Sequence, residues 1–452
     1  GRAVAGYIIG GGVDYQMYHW NAPNSFLLKP GMWSDYSPAA KKAWKAWLKK
    51  KYGSKEALAS AWNVNADAVT FDPPKFNELQ GTEFFHDPTK ERRAMDWKRF
   101  ITSGRQELIS HFAKVLKSAS PRPAVVGICS GMSGGRRDTT TTEEFLRDPN
   151  IDFLFHQPTY SQRTPPNYGG INAQLSSHAV NGKLFLLDLD HPTWMQKPSS
   201  RTEIGAGIVH DANVQGWAKD IDTLRAMWRR EYAHLWTVNA GAFWDHVFGQ
   251  PSAYADPTII AEMKFLVDMS KTVKKPSPQK PVAEVAVIYD EKAVDYLKQG
   301  VSLNGEWHTT QNNELLASGV PYGMYYAEDL REGKVPKAKM YIMQNLMNLD
   351  TRLVAAIEKI KSDAATVVFL RDTGYEQSFT SMDTVNRAVG ITLARLKDAP
   401  SPSFSINEKH PLVDWEKKSD GADDSSVTWP SECSVFGPFE KSTPTPALDV
   451  LS

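Results

Sequence analysis

Cysteine is nearly absent: Cys129 and Cys433 are the only two in 452 residues, and they lie too far apart to suggest metal-ligand spacing. One disulfide is open to them, but two thiols are the expectation, and the redox compartment stays undetermined. Net charge is missing as well. Lys and Arg together number 52, as do Asp and Glu, so no overall field recruits nucleic acid or an anionic membrane. No apolar run approaches the ~20 residues of a membrane span, and the chain opens without a charged-then-apolar signal segment. His156, His191 and His246 follow strand-like runs, yet no pair stands at i,i+2 or i,i+4, so metal catalysis has weak support. The expectations are no metal, no cofactor, no nucleic acid and no membrane span.

What is present is apolar residue at 41% with 14 Trp, 16 Tyr and 19 Phe, a globular composition generous in rings. Gly6 to Trp20 begins β-prone, passes through three glycines and ends in Asp14, Tyr15, Gln16, Tyr18, His19 and Trp20. A buried strand opening into carboxylate, amide and ring chemistry is how a barrel strand delivers a site; an ordinary strand and loop is the plain alternative. Ser37-Pro38 reads as a helix start, and Gly53 as its stop. Ser54 caps a second helix through Trp62, and Asp87-Pro88 opens a long one with Trp97, Ile101, Leu108, Phe112 and Val115 as its buried stripe.

Four more strands follow, at 124–131, 151–160, 183–191 and 240–246, separated by helices that include one near 142–147, one carrying Trp228 and Tyr232, and one capped by Asp256-Pro257. Strands alternating with helices mean parallel βα units. Polar and aromatic residues gather after each strand: His156 and Tyr160, Asp188 and His191, Asp245 and His246. That pattern predicts an α/β fold of the (β/α)8 TIM-barrel type over 1–270, whereas a doubly wound sheet concentrates chemistry at one switch point. A Pro- and Lys-rich linker occupies 271–283. Strands at 284–290, 320–330, 339–345 and 366–374, with helices at 311–318 and 351–362, predict a flavodoxin-like α/β domain over 284–396. Residues 397–452 read as a polar linker.

Only five barrel strands are countable, and a closed barrel needs eight in roughly 250 residues. The expectation is therefore an internal piece of a longer protein, with strands 4–8 visible and the rest preceding Gly1 or supplied by another chain. An open five-stranded sheet is the alternative.

The segment GYIIGGG…W followed by DYSPAAKKAWKAWLKKKYGSKEALASAWN resembles glycoside hydrolase family 42, the β-galactosidases, and the likeness continues at LDLDHPTW, RREYAHLW, GAFWDH and EVAVIYD, over about residues 1–375. The helix motif is its most specific part. The resemblance implies a retaining glycosidase acting on β-galactosides or related poly- and oligosaccharides, with no cofactor. It implies a second domain associated with trimers, hence a homo-oligomer (trimer or dimer) or association with the rest of the same protein, and an extracellular or periplasmic setting. The closing VFGPF resembles the first strand of a β-sandwich.

Such enzymes use carboxylates at the ends of strands four and seven, about 5–5.5 Å apart for retention. Counting from the opening stretch as strand four makes 183–191 strand seven. There Asp188 aligns with the nucleophile, and Asp190 follows on the same face. At strand four the family's acid/base Glu aligns with Gln16, whose amide cannot transfer a proton in that role. Deliberate Glu-to-Gln inactivation, natural loss of activity, and transfer of the role to Asp14 all fit, and Asp14 is equally a turn-capping residue. Two aspartates in an apolar strand are expensive to bury without partners, which favours function for at least one. Trp20, Tyr18, Tyr160, Phe243, Trp194 and Trp244 are the candidate stacking rings. His19, His156, His191, Asp190 and Asp245 are the candidate hydroxyl partners. Without a donor, the same residues suit a non-catalytic carbohydrate-binding or structural protein.

Overall fold

The computed structural model describes residues 5–10, 36–79, 84–129, 142–159, 163–171, 173–195, 218–245, 254–274, 277, 283–298, 311–370, 372–395, 403–405, 426–428 and 439–441. The chain divides into two compact units, Gly1–Met340 and Tyr341–Ser452.

The first unit is organised by β1 (Gly6–Ile9), β2 (Val125–Cys129), β3 (Phe153–His156), β4 (Leu184–Leu189) and β5 (Gly241–Trp244), which form one sheet in chain order. Every described pairing in it is parallel. A doubly wound sheet reverses its strand order, and this one does not; consecutive parallel order with helical crossovers is barrel topology. All five strands fall where the sequence places them.

Strand alternation separates the two faces. Ile9, Val126, Ile128 and Leu154 point outward into a core shared with Ile109 and Ala113, and Phe185, Leu187 and Leu189 into one shared with Leu224, Trp228 and Leu235. Cys129, Phe153, Phe155, Leu186 and Phe243 cluster on the inner face. Gly127 is required there, since a Cβ would stand 2.2 Å from the Phe153 ring.

Helix α1 (Pro38–Tyr52) starts as expected, with Ser37 Oγ accepting from Ala40 N at 3.2 Å and Pro38 at the first helical position, and Gly53 ends it at φ +76°. Helix α2 (Lys55–Trp62) is capped by Ser54. With α3 (Arg92–Ala119) they enclose a ring-rich core in which Trp44 packs against Trp47, Trp62 and Trp97. Asp96 is buried within it, and its carboxylate is satisfied by Lys51 Nζ at 2.6 Å, Tyr52 Oη at 2.7 Å and Trp62 Nε1 at 2.7 Å.

Helix α3 corrects two expectations. Asp87 caps a turn, accepting from Thr89 N, and the helix itself begins at Arg92. Its buried face runs through Trp97, Thr102, Arg105, Ile109 and Ala113, while Leu108, Phe112 and Val115 are about half exposed. Both stripes have helical spacing, and Ile109 and Ala113 are the ones that meet the sheet.

Helices α4 (Thr142–Phe145), α5 (Leu175–Val180), α6 (Ile221–Thr237) and α7 (Pro257–Thr272) complete the crossovers. Strands β6 (Val285–Tyr289) and β7 (Tyr322–Tyr326) pair in parallel within this same unit. They are tied to the barrel helices by Tyr326 N donating to Ser177 Oγ at 2.7 Å, Lys98 Nζ to Leu297 O at 2.6 Å, and Glu291 accepting from Glu143 N at 2.8 Å. After β7 the chain turns at once into the helix Ala327–Arg331, so the strand expected over 320–330 is shorter. Among the described residues no helix is long and apolar enough to cross a membrane.

In the second unit, the helix expected over 351–362 is Thr351–Ser362, capped by Asp350 Oδ1, and Leu370 N donates to Met343 O. Leu393–Arg395 pairs antiparallel with Phe439–Lys441, and Ser403–Ser405 with Ser426–Thr428.

Candidate active site

The inner face at the C-terminal end of β3, β4 and β5 gathers buried polar groups. Asp188 belongs to the inward set of β4, directly opposite Phe243 in the β4–β5 register. It is 2% exposed, and Oδ2 accepts a hydrogen bond from Gln157 Nε2 at 3.0 Å, while Oδ1 has no hydrogen-bond partner. A buried carboxyl so sparsely satisfied resists ionisation. Burial raises the Asp188 pKa from its ordinary value, the charges of Asp190 and Asp245 raise it further, and the Gln157 bond and Arg163 oppose them, leaving it at about 8.

Asp190 stands two residues on, its N donating to Asp188 O at 3.0 Å, and its carboxylate meets Arg163 Nη2 at 2.5 Å. Asp245 follows β5 on the side of Phe243. Its backbone oxygen accepts from Tyr254 Oη at 2.7 Å, and the same hydroxyl lies 3.1 Å from Leu189 O. Asp188, Asp190 and Asp245 are therefore drawn together by β4 and β5.

Two expected site residues face the helices instead. His156 pairs with Leu187 on the outward side of the sheet. Burial lowers its pKa to about 4, so it stays neutral, and its Nδ1 lies against Gln157 O. Trp244 pairs with Leu189, and its ring stacks on Tyr232 at 5.9 Å and tilts against Trp228 at 5.7 Å. The period of two turns 243 inward and 244 outward, which a list of rings after strand ends does not register. Trp194 likewise packs against the core built on α6. His191 is buried, and burial together with Arg163 and Arg230 holds its pKa well below the ordinary value. Asp14, Gln16, Tyr18, His19, Trp20, Tyr160 and His246 lie outside the described residues.

Gln157 is the contact that sequence reasoning missed. The signal was available: it is the first residue past β3, in the inward parity of Phe153 and Phe155. Among the described residues no group of three or more His, Cys, Asp and Glu is arranged to hold a metal ion.

The sequence model of the glycoside hydrolase family 42 β-galactosidases matches residues 16–222. A comparison with curated proteins finds no match. Among solved structures, the β-galactosidase of the psychrophilic Marinomonas ef1 is 11% identical, with 95% of this chain and 63% of that one covered at a TM-score of 0.56. The β-galactosidase of Bacillus circulans sp. alkalophilus is 14% identical, with 84% and 57% covered at 0.55. A catalytic mutant of the family 42 β-galactosidase Gan42B from G. stearothermophilus is 15% identical, with 84% and 57% covered at 0.55. The chain thus spans 57–63% of the length of these structures. The chain is therefore similar to the glycoside hydrolase family 42 β-galactosidases over residues 16–222, and it shares the barrel fold of these structures.

Proposed function

We propose that this protein is a retaining glycoside hydrolase acting on β-galactosides or related oligo- and polysaccharides, with Asp188 as its nucleophile. The observation that carries the reading is the buried Asp188 carboxyl on the inner face, held from one side by Gln157 and opposite the Phe243 ring. A nucleophile must be ionised, and the surroundings of Asp188 favour its neutral form. Turnover therefore belongs on the alkaline side of neutrality, where the carboxylate is populated. The proton donor is assigned to the Asp14/Gln16 position, on the family resemblance alone. Asp245 and the residues around Trp20 would bond and stack on the sugar. A homo-oligomer, working outside the cytoplasm where polymers are met, completes the proposal.

A panel of aryl glycosides and plant or algal polysaccharides tests it, with Asp188→Asn and Gln16→Glu alongside. Asp188→Asn should cost on the order of 10³-fold or more in kcat. Full turnover by that variant on a substrate the parent cleaves would refute the assignment.

Gln16 favours a second reading, a non-catalytic carbohydrate-binding protein on a hydrolase barrel. Saturable oligosaccharide binding by calorimetry, without cleavage and unrestored by Gln16→Glu, would support it.

A further inference from the structure

Asp190, two residues past the proposed nucleophile, has the chemistry of a sugar ligand, but its surroundings point elsewhere. Its side chain is fully buried and that of Arg163 is 1% exposed. Taking two charges out of water costs several kcal/mol per ion unless their remaining donors and acceptors are used. Arg163 uses its own on the main chain, Nη2 donating to Pro158 O at 3.0 Å and Nε to Thr159 O at 3.2 Å. Those carbonyls belong to the two residues immediately after Gln157. From the other side Arg230, on α6, donates to Arg163 O and Asn167 O at 2.9 Å each, and its own charge is met by Glu231 at 2.6 Å. Gly169, at φ +73°, leaves room for this guanidinium; a Cβ there would lie 2.3 Å from Arg230 Nε. Asp190 is in turn tied to β4 through its N–H on Asp188 O.

We infer that the Asp190–Arg163 pair is a buried clamp that sets the end of β3 against the end of β4, so that Gln157 is held on Asp188, and that Asp190 is a positioning residue acting through Gln157. The inference rests on the reading of Asp188 as the reacting carboxyl. The groups that face Asp188 are Asp190 and Asp245, which disfavour its charge, and Gln157 and Arg163, which favour it; Tyr254 donates to the backbone beside it.

The test uses the full chain and reads Asp188 directly, by ¹³C-carboxyl titration with Asp188→Asn as the assignment control, beside kcat and KM on aryl β-galactosides across pH. Gln157→Met removes the hydrogen bond to the charged form and should raise the Asp188 midpoint by about one pH unit. The double variant R163M/D190N removes one charge that disfavours the Asp188 carboxylate and one that favours it, so the clamp is read from Q157M within it, which should leave the midpoint unmoved once Gln157 is no longer held on Asp188. R163K/D190E keeps the pair and should keep the Q157M shift of about one pH unit; it covers the case in which R163M/D190N fails to fold, and loss of the shift there would overturn the clamp. A Q157M shift in R163M/D190N as large as in the parent would overturn the clamp. So would a rise in KM alone, the mark of Asp190 touching the sugar itself. If the parent turns over no glycoside, the hydrolase reading falls, and the Q157M shifts in the three backgrounds still decide the clamp.

Discussion

Asp188 and Phe243 are direct partners across the β4–β5 ladder, so an acid and an aromatic ring share one inward position of the sheet. The ring belongs to the apolar inner cluster with Phe155, Phe153 and Cys129, which is what removes water from around the carboxyl. The environment that makes Asp188 a candidate for catalysis also disfavours its charged form.

For a nucleophile held at about 8, kcat should rise with pH through about 8 and level above it. Asp245→Asn removes one of the charges that disfavour ionisation, and should move this limb to lower pH. A limb that falls through the same region would instead make Asp188 a proton donor, and pH–rate profiles of parent and variant distinguish the two.

Glu291 gives a stability prediction with a definite sign. Burial, and then the Glu144 charge, raise its pKa from 4.5 to about 8 in the fold. The native state holds a proton that the unfolded chain has released, so stability falls as pH rises from about 4.5 to about 8. Glu291→Gln is neutral throughout and keeps an oxygen for one of the two amides of Thr142 and Glu143. Relative to the parent it should gain on the order of 2 kcal/mol between pH 5 and pH 8 in urea unfolding. A difference independent of pH would contradict this.

Asp96 shows the opposite design, a buried carboxylate with every nearby donor aimed at it. Asp96→Ala strands the Tyr52 hydroxyl, the Trp62 indole and the Lys51 ammonium. The expected loss is about 3 kcal/mol by chemical denaturation, with a drop in the Trp fluorescence midpoint.

Gly127→Ala places a methyl in the Phe153 ring. Overpacking of this kind costs about 1–3 kcal/mol. Because the displaced ring lies on the inner face with Asp188, kcat should fall as well, and thermal melts beside kinetics would separate the two effects.

Much of this molecule was legible from periodicity and capping alone. The five strands are β-prone apolar runs bounded by turn residues, and Ser37-Pro38 and Asp256-Pro257 mark helix starts by local hydrogen bonding that needs no tertiary context. The consecutive βα order, and with it the barrel, follows from the same signals. What local sequence could not decide is direction and partnership. Helix α3 carries two apolar stripes of equal spacing, and only the sheet selects Ile109 and Ala113 over Leu108 and Phe112. Asp188, Asp190, His156 and Trp244 all follow or end strands, yet strand parity and contacts from residues 12 or more positions away turn the first to the inner face, the second to Arg163, and the last two to the helices. Residue type and spacing are written along one dimension, whereas a carboxyl's proton affinity depends on which distant groups the fold brings within a few ångströms of it.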